Sequence, residues 1–275
     1  MTHRALARLQ QGLAAARAEH LERRRPVRDG AQGAQLAIDG ETLLAFSSND
    51  YLGLAADPAL VEAARAALDT CGVGAGAAHL VSGHHRYHDE FEAAFARFVG
   101  KPAALVFSTG MQTNLGTISA LISRDDRVIL DKEDHASILD GARLSYGKLE
   151  RFNHNDIPHL ERVLASIPES SGKLIVVDGL FSMGGDLAPL PEIVTAAKKF
   201  GARIMVDDAH GMGVVGGGRG TAAHYGLTQE TDLIMSTFSK SFASLGGFVA
   251  GESDVIMYIK HAARSLIFSA SIPPA

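Results

Sequence analysis

The sequence predicts an α/β protein, a mostly parallel sheet with helices on both faces, and three observations predict it. From about Pro58 onward, short β-branched apolar runs alternate with helix-like stretches, the pattern of strands joined by crossover helices. Apolar residues make up 46% of a 275-residue chain, enough to bury a large core. Glycine is abundant, at 29 residues, as the tight turns and close backbone approaches of phosphate-binding α/β folds require.

Taken in order, the segment Thr2–Arg25 carries Ala, Leu, Arg and Glu at helical spacing, and Pro26 closes it, so an arm helix is expected there. Gln35–Ile38 and Leu43–Phe46, around the turn Asp39-Gly40, read as a short hairpin. Residues 1–46 are therefore an N-terminal arm and 47–275 the main domain. Strands are expected at Ala103–Ser108, Arg127–Asp131, Leu174–Asp178, Arg203–Asp207, Leu233–Thr237 and Gly247–Ala250. Helices are expected at Met111–Ile122, Ala136–Leu144, Ile157–Leu164 and Leu190–Phe200. The chain stops at Ser271-Ile272-Pro273-Pro274-Ala275 in mid-pattern, so a C-terminal small domain is expected to be missing from it.

Composition narrows the function. Lys and Arg number 26 against 31 acidic residues, for a net charge of -5, and they are scattered, which argues against a nucleic-acid partner. No apolar run approaches the roughly 18 residues that would cross a bilayer, so no membrane span is expected. The single cysteine, Cys71, excludes an intramolecular disulfide, and the start MTHRALARLQ lacks the apolar core of a secretory signal. A cytoplasmic location is expected.

In parallel α/β sheets ligands sit at the carboxyl ends of the strands. One such end carries Asp207-Asp208-Ala209-His210, a second Thr237-Phe238-Ser239-Lys240-Ser241, and a third Ser108-Thr109-Gly110-Met111 opening a helix. Singly, each has a plainer reading. A lysine after a strand is commonly solvated, an Asp pair caps a helix, and Ser-Thr-Gly turns begin many helices. His135 and His210 both follow expected strands and could be core or cap. Gly72–Gly83 lacks the spacing of a dinucleotide fingerprint. His79, His84, His85 and His88 crowd one segment, but without Cys or carboxylate at standard ligand spacing no metal is expected. Together the three ends ask for one ligand with a phosphate, an aldehyde and a protonatable ring nitrogen, and pyridoxal 5'-phosphate (PLP) has all three.

The motifs SSNDYLGL (47–54), HLVSG (79–83), FSTGMQTN (107–114), DHASILDGARL (134–144), FNHND (152–156), DGLFSMGGDLAPL (178–190), VDDAHGMGVVG (206–216), GRG (218–220), TFSKS (237–241) and IFSASIPPA (267–275) run in the order found in the α-oxoamine synthases. The chain resembles that family, fold-type I PLP enzymes that join an amino acid to an acyl-CoA, over nearly its whole length. The resemblance implies the large domain of that fold and a catalytic set of Lys240, His135, Asp207 and His210. Lys240 would be the Schiff-base lysine and later the acid/base. Asp207 would pair with the pyridinium nitrogen. His210 and Ser182 would lie at the phenolic oxygen, and His135 would stack on the ring. Gly110 and Met111 would give N–H groups to the phosphate, with Thr237 adding a hydroxyl. It also implies a homodimer with the site at the interface, where Ser269 and Ser271 would serve the neighbouring phosphate, and places Asn49 and Tyr51 near the substrate.

The implied reaction is a decarboxylative condensation of a small amino acid with an acyl-CoA or acyl-carrier-protein thioester. The first half is similar to the biotin-synthesis branch, which takes L-alanine and a pimeloyl thioester and reads the distal carboxylate with an N-terminal arginine, for which Arg23 is the candidate. The last third is similar to the branch that acylates serine with a palmitoyl group, and a glycine-acetylating member is a further alternative. Gly184 departs from the Asp common at its position, which is expected to loosen that turn. A non-catalytic PLP-binding fragment or subunit is the reading of another class, and an aminotransferase is a third.

Overall fold

The structure is a computed structural model that describes residues 3–275. The chain divides into two units, 1–46 and 47–275. In the first, helix α1 (His3–Ala18) is followed by a three-stranded antiparallel sheet of β1 (Arg28–Asp29), β2 (Gln35–Ile38) and β3 (Glu41–Leu44). Asp39 (φ 50°) and Gly40 (φ 84°) make the turn of the β2–β3 hairpin. The arm helix is shorter than its apolar spacing suggested. It stops at Ala18, and His20 takes a left-handed conformation (φ 57°), so the charged stretch up to Pro26 is coil.

The second unit begins with α2 (Pro58–Cys71), started by Asp57, whose carboxylate accepts from the N–H groups of Ala59 and Leu60. Helix α3 (Arg86–Val99) and strand β4 (Ala103–Phe107) follow, then α4 (Gly110–Leu121), β5 (Arg127–Asp131), α5 (Ala136–Leu144), β6 (Lys148–Phe152), α6 (Ile157–Ser166), β7 (Lys173–Asp178), α7 (Leu190–Phe200) and β8 (Arg203–Asp207). The chain ends through α8 (Thr221–His224), β9 (Leu233–Thr237), β10 (Gly247–Gly251), α9 (Ser253–Ala262) and α10 (Arg264–Ile267).

Seven of these strands form one sheet in the order β4-β10-β9-β8-β7-β5-β6, with β10 antiparallel to both its neighbours and the remaining pairs parallel. Both faces are buried, which is why the central strands read as continuous apolar runs. The strand period of two divides them between two cores. Val106, Ile175, Val177, Ile204, Val206 and Ile234 pack against α3, α6 and α7, while Leu105, Leu174, Val176, Met205, Leu233 and Met235 pack against α4, α5 and α9. The parallel register of β7 and β8 sets their last residues, Asp178 and Asp207, side by side at the carboxyl edge of the sheet. No helix among the described residues is long and apolar enough to cross a membrane.

Candidate active site

The carboxyl edge of the sheet gathers the polar residues that the sequence singled out. Lys240, on the loop after β9, reaches His210, on the loop after β8, with Nζ 2.8 Å from Nε2. Tyr51 Oη lies 2.7 Å from His210 Nδ1 and donates to Asn49 Oδ1 at 3.2 Å. The directions form one series: Lys240 donates to Nε2, the ring proton on Nδ1 goes to Tyr51, and Tyr51 donates to Asn49. Burial and the Lys240 charge beside it push the His210 imidazole down to about 4. Burial likewise lowers Lys240, with Asp207 and Asp178 pulling partway back. A half-buried amine with weakened proton affinity is suited to acid/base and nucleophilic work near neutral pH.

Asp207 is buried and doubly held. Its Oδ1 accepts from Ala209 N at 3.0 Å and its Oδ2 from Asn114 Nδ2 at 2.7 Å. Asp178 beside it is pushed up to about 8, by burial first and then by the Asp207 charge. Its Oδ2 accepts from His135 N at 3.2 Å. Asp134 ties the neighbouring strand ends together, accepting from Asp131 N and Asp178 N at 2.8 and 2.9 Å, and burial raises it well above the carboxylate range. His135 is the N-cap of α5, with Nδ1 accepting from Ser137 N at 3.2 Å.

The anion cradle is the start of α4. Thr109 caps it, taking Gln112 N on its hydroxyl and Thr113 N on its carbonyl, which leaves the Gly110 and Met111 N–H groups at the open end of the helix dipole. Residue 110 has to be glycine, because a Cβ there would stand 2.9 Å from Thr237 Cβ and Oγ1. The Thr237 hydroxyl donates to Gly246 O at 2.8 Å and accepts from Ser239 N at 3.2 Å, and Ser239 Oγ lies 2.8 Å from it.

Other expected residues are placed differently. Ser182 stands exposed on the loop after β7. Ser269 accepts from Gln112 Nε2 at 3.1 Å, close to the cradle's own helix, whereas Ser271 is buried, its backbone N–H bonded to Ala77 O. Arg23 lies exposed in the coil after α1, in the first unit. Gly184 stands against the Asp186 side chain. A Cβ there would sit 2.2 Å from Asp186 Oδ1, and Asp186 is held by His154 and Asn155 at 2.9 and 2.7 Å, so glycine makes room for that anchor.

His79, His84 and His88 do cluster, with ring centroids 4.9 to 5.4 Å apart. Hydrogen bonds occupy their ring nitrogens except His79 Nε2, which is buried without a partner. His88 Nδ1 accepts from His85 N and its Nε2 meets Ile272 O, both at 3.0 Å, while His84 bridges His79 and Asp89 at 2.8 Å each. Residues the strand-end rule passed over are Asn114, Ser137 and Asp178. Each lies inside a motif quoted above, which was the available signal.

The family model for aminotransferase class I and II matches residues 41–275. The chain is 52% identical to a serine palmitoyltransferase of Sphingobacterium spiritivorum over 252 residues, 91% of this chain and 63% of that relative. It is 50% identical to an 8-amino-7-oxononanoate synthase of Thiobacillus denitrificans over 274 residues, the whole of this chain and 71% of that one. It therefore spans less than two thirds of the first of these relatives. A solved serine palmitoyltransferase from S. paucimobilis, with a PLP–myriocin aldimine bound, superposes with a TM-score of 0.92 at 37% identity, covering 96% of this chain and 68% of that one. The architecture is that of the large domain of fold-type I PLP-dependent transferases. On these grounds the chain belongs to the aminotransferase class I and II family, within its α-oxoamine synthase branch.

Proposed function

We propose that this chain is the PLP-binding part of an acyltransferase that condenses a small amino acid with an acyl-CoA or acyl-carrier-protein thioester, releasing carbon dioxide and the free thiol and giving an aminoketone. The observation that carries the reading is the 2.8 Å contact of Lys240 with His210 at the sheet edge that also bears Asp207. The donor set fits PLP: an amine for the aldehyde, a carboxylate for the ring nitrogen, and a helix start whose glycine leaves space that a Cβ would fill. When bound, PLP supplies the electron sink for charge left at the amino-acid Cα.

The chain's own residues do the rest. Lys240 takes the Cα proton and returns it, helped by burial that weakens its hold on its own proton. Asp207 would pair with the ring nitrogen, and His135 would serve the ring face. His210 and Ser182 would serve the phenolic oxygen. Gly110, Met111 and Thr237 would hold the phosphate, Asn49 and Tyr51 would serve the amino acid, and Arg23 is the candidate for a distal carboxylate. We read the assembly as a homodimer, with Ser269 and Ser271 directed to the neighbouring phosphate, and the location as cytoplasmic, on the strength of the lone Cys71.

The first reading of the substrates is L-alanine with a pimeloyl thioester, the 8-amino-7-oxononanoate synthase reaction of biotin synthesis, supported by 50% identity over 274 residues. Serine with a palmitoyl thioester is the second, favoured by the 52% match to a serine palmitoyltransferase. Carbon dioxide release is to be measured for pimeloyl-, palmitoyl- and acetyl-CoA, each with alanine, serine and glycine. The first reading expects alanine with pimeloyl-CoA to lead. A lead for serine with palmitoyl-CoA selects the second, and PLP binding without any carbon dioxide release leaves a non-catalytic cofactor-binding chain.

A further inference from the structure

Behind the candidate ring site lies a buried series of hydrogen bonds that none of the assigned roles uses. Asn114, on the first turns of α4, gives one amide hydrogen to Asp207 Oδ2 at 2.7 Å and the other to Ser137 Oγ at 2.8 Å. Ser137 Oγ in turn lies 2.7 Å from His135 Nδ1. Asn114, Ser137 and Asp207 are all buried, at 1%, 2% and 4% exposure. The directions are determined. His135 Nδ1 already accepts from Ser137 N, so it bears a lone pair, and the Ser137 hydroxyl donates to it while accepting from Asn114. The ring proton of His135 is therefore on Nε2. Asn114 Oδ1, meanwhile, is buried with no partner. An amide that leaves its own acceptor unsatisfied in order to aim both hydrogens at two site residues is a poor choice for packing alone.

We propose that Asn114 is a positioning residue of the cofactor site, holding the Asp207 carboxylate in its orientation and, through Ser137, fixing His135 with its proton on Nε2. The inference rests on the reading of Asp207 and His135 as the groups at the ring nitrogen and the ring face. It links them by residues 23 and 93 positions apart from Asn114, so that the two contacts are set together rather than separately.

Two readouts test it, one of which needs no cofactor. In the 15N-labelled chain without PLP, long-range 1H–15N correlations of His135, assigned with His135→Gln, are expected to show a protonated Nε2 and a bare Nδ1. Ser137→Ala should admit a measurable fraction of the other form. Spectral titration then compares PLP binding in the parent chain, Asn114→Asp and Asn114→Leu. Asn114→Asp keeps the shape but loses both donors, and a donor role predicts binding weaker by about 10- to 100-fold, whereas a packing role predicts little change. Unfolding midpoints check that each variant is folded, and Asn114→Leu replaces Asn114→Asp if the latter is not.

Equal PLP affinity in a folded Asn114 variant, or a protonated Nδ1 in the parent chain, overturns the inference while leaving the PLP reading intact. A parent chain that gains no lysine-bound visible absorbance overturns the PLP reading instead, and the His135 correlations still decide the role of Asn114 and Ser137.

Discussion

Lys240 Nζ sits 2.8 Å from His210 Nε2, and burial lowers the proton affinity of both partners. Only one proton is shared comfortably in such a contact, so Lys240 donates and the imidazole stays neutral. Lys240→Ala removes the amine that would bond the cofactor aldehyde. The visible absorbance of lysine-bound cofactor, near about 420 nm, should vanish. Carbon dioxide release should fall by about 10³-fold or more, since the same amine would handle the Cα proton. Absorbance spectra with added PLP check the first point, and an unchanged spectrum would refute the assignment of Lys240.

Tyr51→Phe deletes the hydroxyl that lies 2.7 Å from His210 Nδ1 and keeps the ring. The imidazole then loses the acceptor that fixes its tautomer. The maximal rate should drop by roughly 10-fold, with PLP affinity nearly unchanged. Separate determination of kcat and of the PLP dissociation constant distinguishes this from a general loss of structure, which would move both.

His154 bridges Asp131 and Asp186 at 3.0 and 2.9 Å. Burial lowers its affinity for a proton, but the two carboxylates outweigh it and leave the group raised above 6.5. The stabilisation is therefore fully present below the unfolded value of about 6.5 and is lost as pH rises through the folded value. His154→Gln should destabilise the chain more in mildly acidic than in alkaline solution. Urea unfolding of both chains across that range tests the sign, and a difference that grows with pH would contradict it.

Arg23→Ala tests the reading of the N-terminal arginine. If it meets a distal carboxylate, the KM for pimeloyl-CoA should rise about 10-fold, while palmitoyl-CoA, which has no such carboxylate, should be unaffected. Steady-state kinetics with the two thioesters decides, and an equal effect on both would remove Arg23 from the substrate site.

The architecture was legible where the physics is local. Arg127–Asp131, Arg203–Asp207 and Leu233–Thr237 appear with the bounds read from their apolar runs, because strands buried on both faces need side chains of one kind throughout. Strand β6, Lys148–Phe152, escaped that reading. It lies at the sheet edge, Lys148, Glu150 and Arg151 interrupt its apolar residues, and an edge strand has no need of an apolar run. The arm helix was overextended because spacing continues through Arg23–Arg25, whereas the left-handed His20 closes the helix, with Leu21 N bonded to Ala16 O at 2.7 Å and His20 N to Arg17 O at 3.2 Å.

For the site, the sequence by itself determined which residue types would stand at the carboxyl edge: Lys240, Asp207, His210, His135 and the Gly110 turn each follow a strand, and strand order along the chain is enough to deliver them there. Tertiary structure alone decided how they are joined. The contacts of Lys240 with His210, of Tyr51 with His210, and of Asn114 with Ser137 and Asp207 span 30, 159, 23 and 93 residues of chain. Their directions depend on which lone pair each neighbour has already filled, and burial sets the proton affinities of Lys240 and His210. Those quantities come into being only when the two faces of the sheet are covered and water is excluded from its edge.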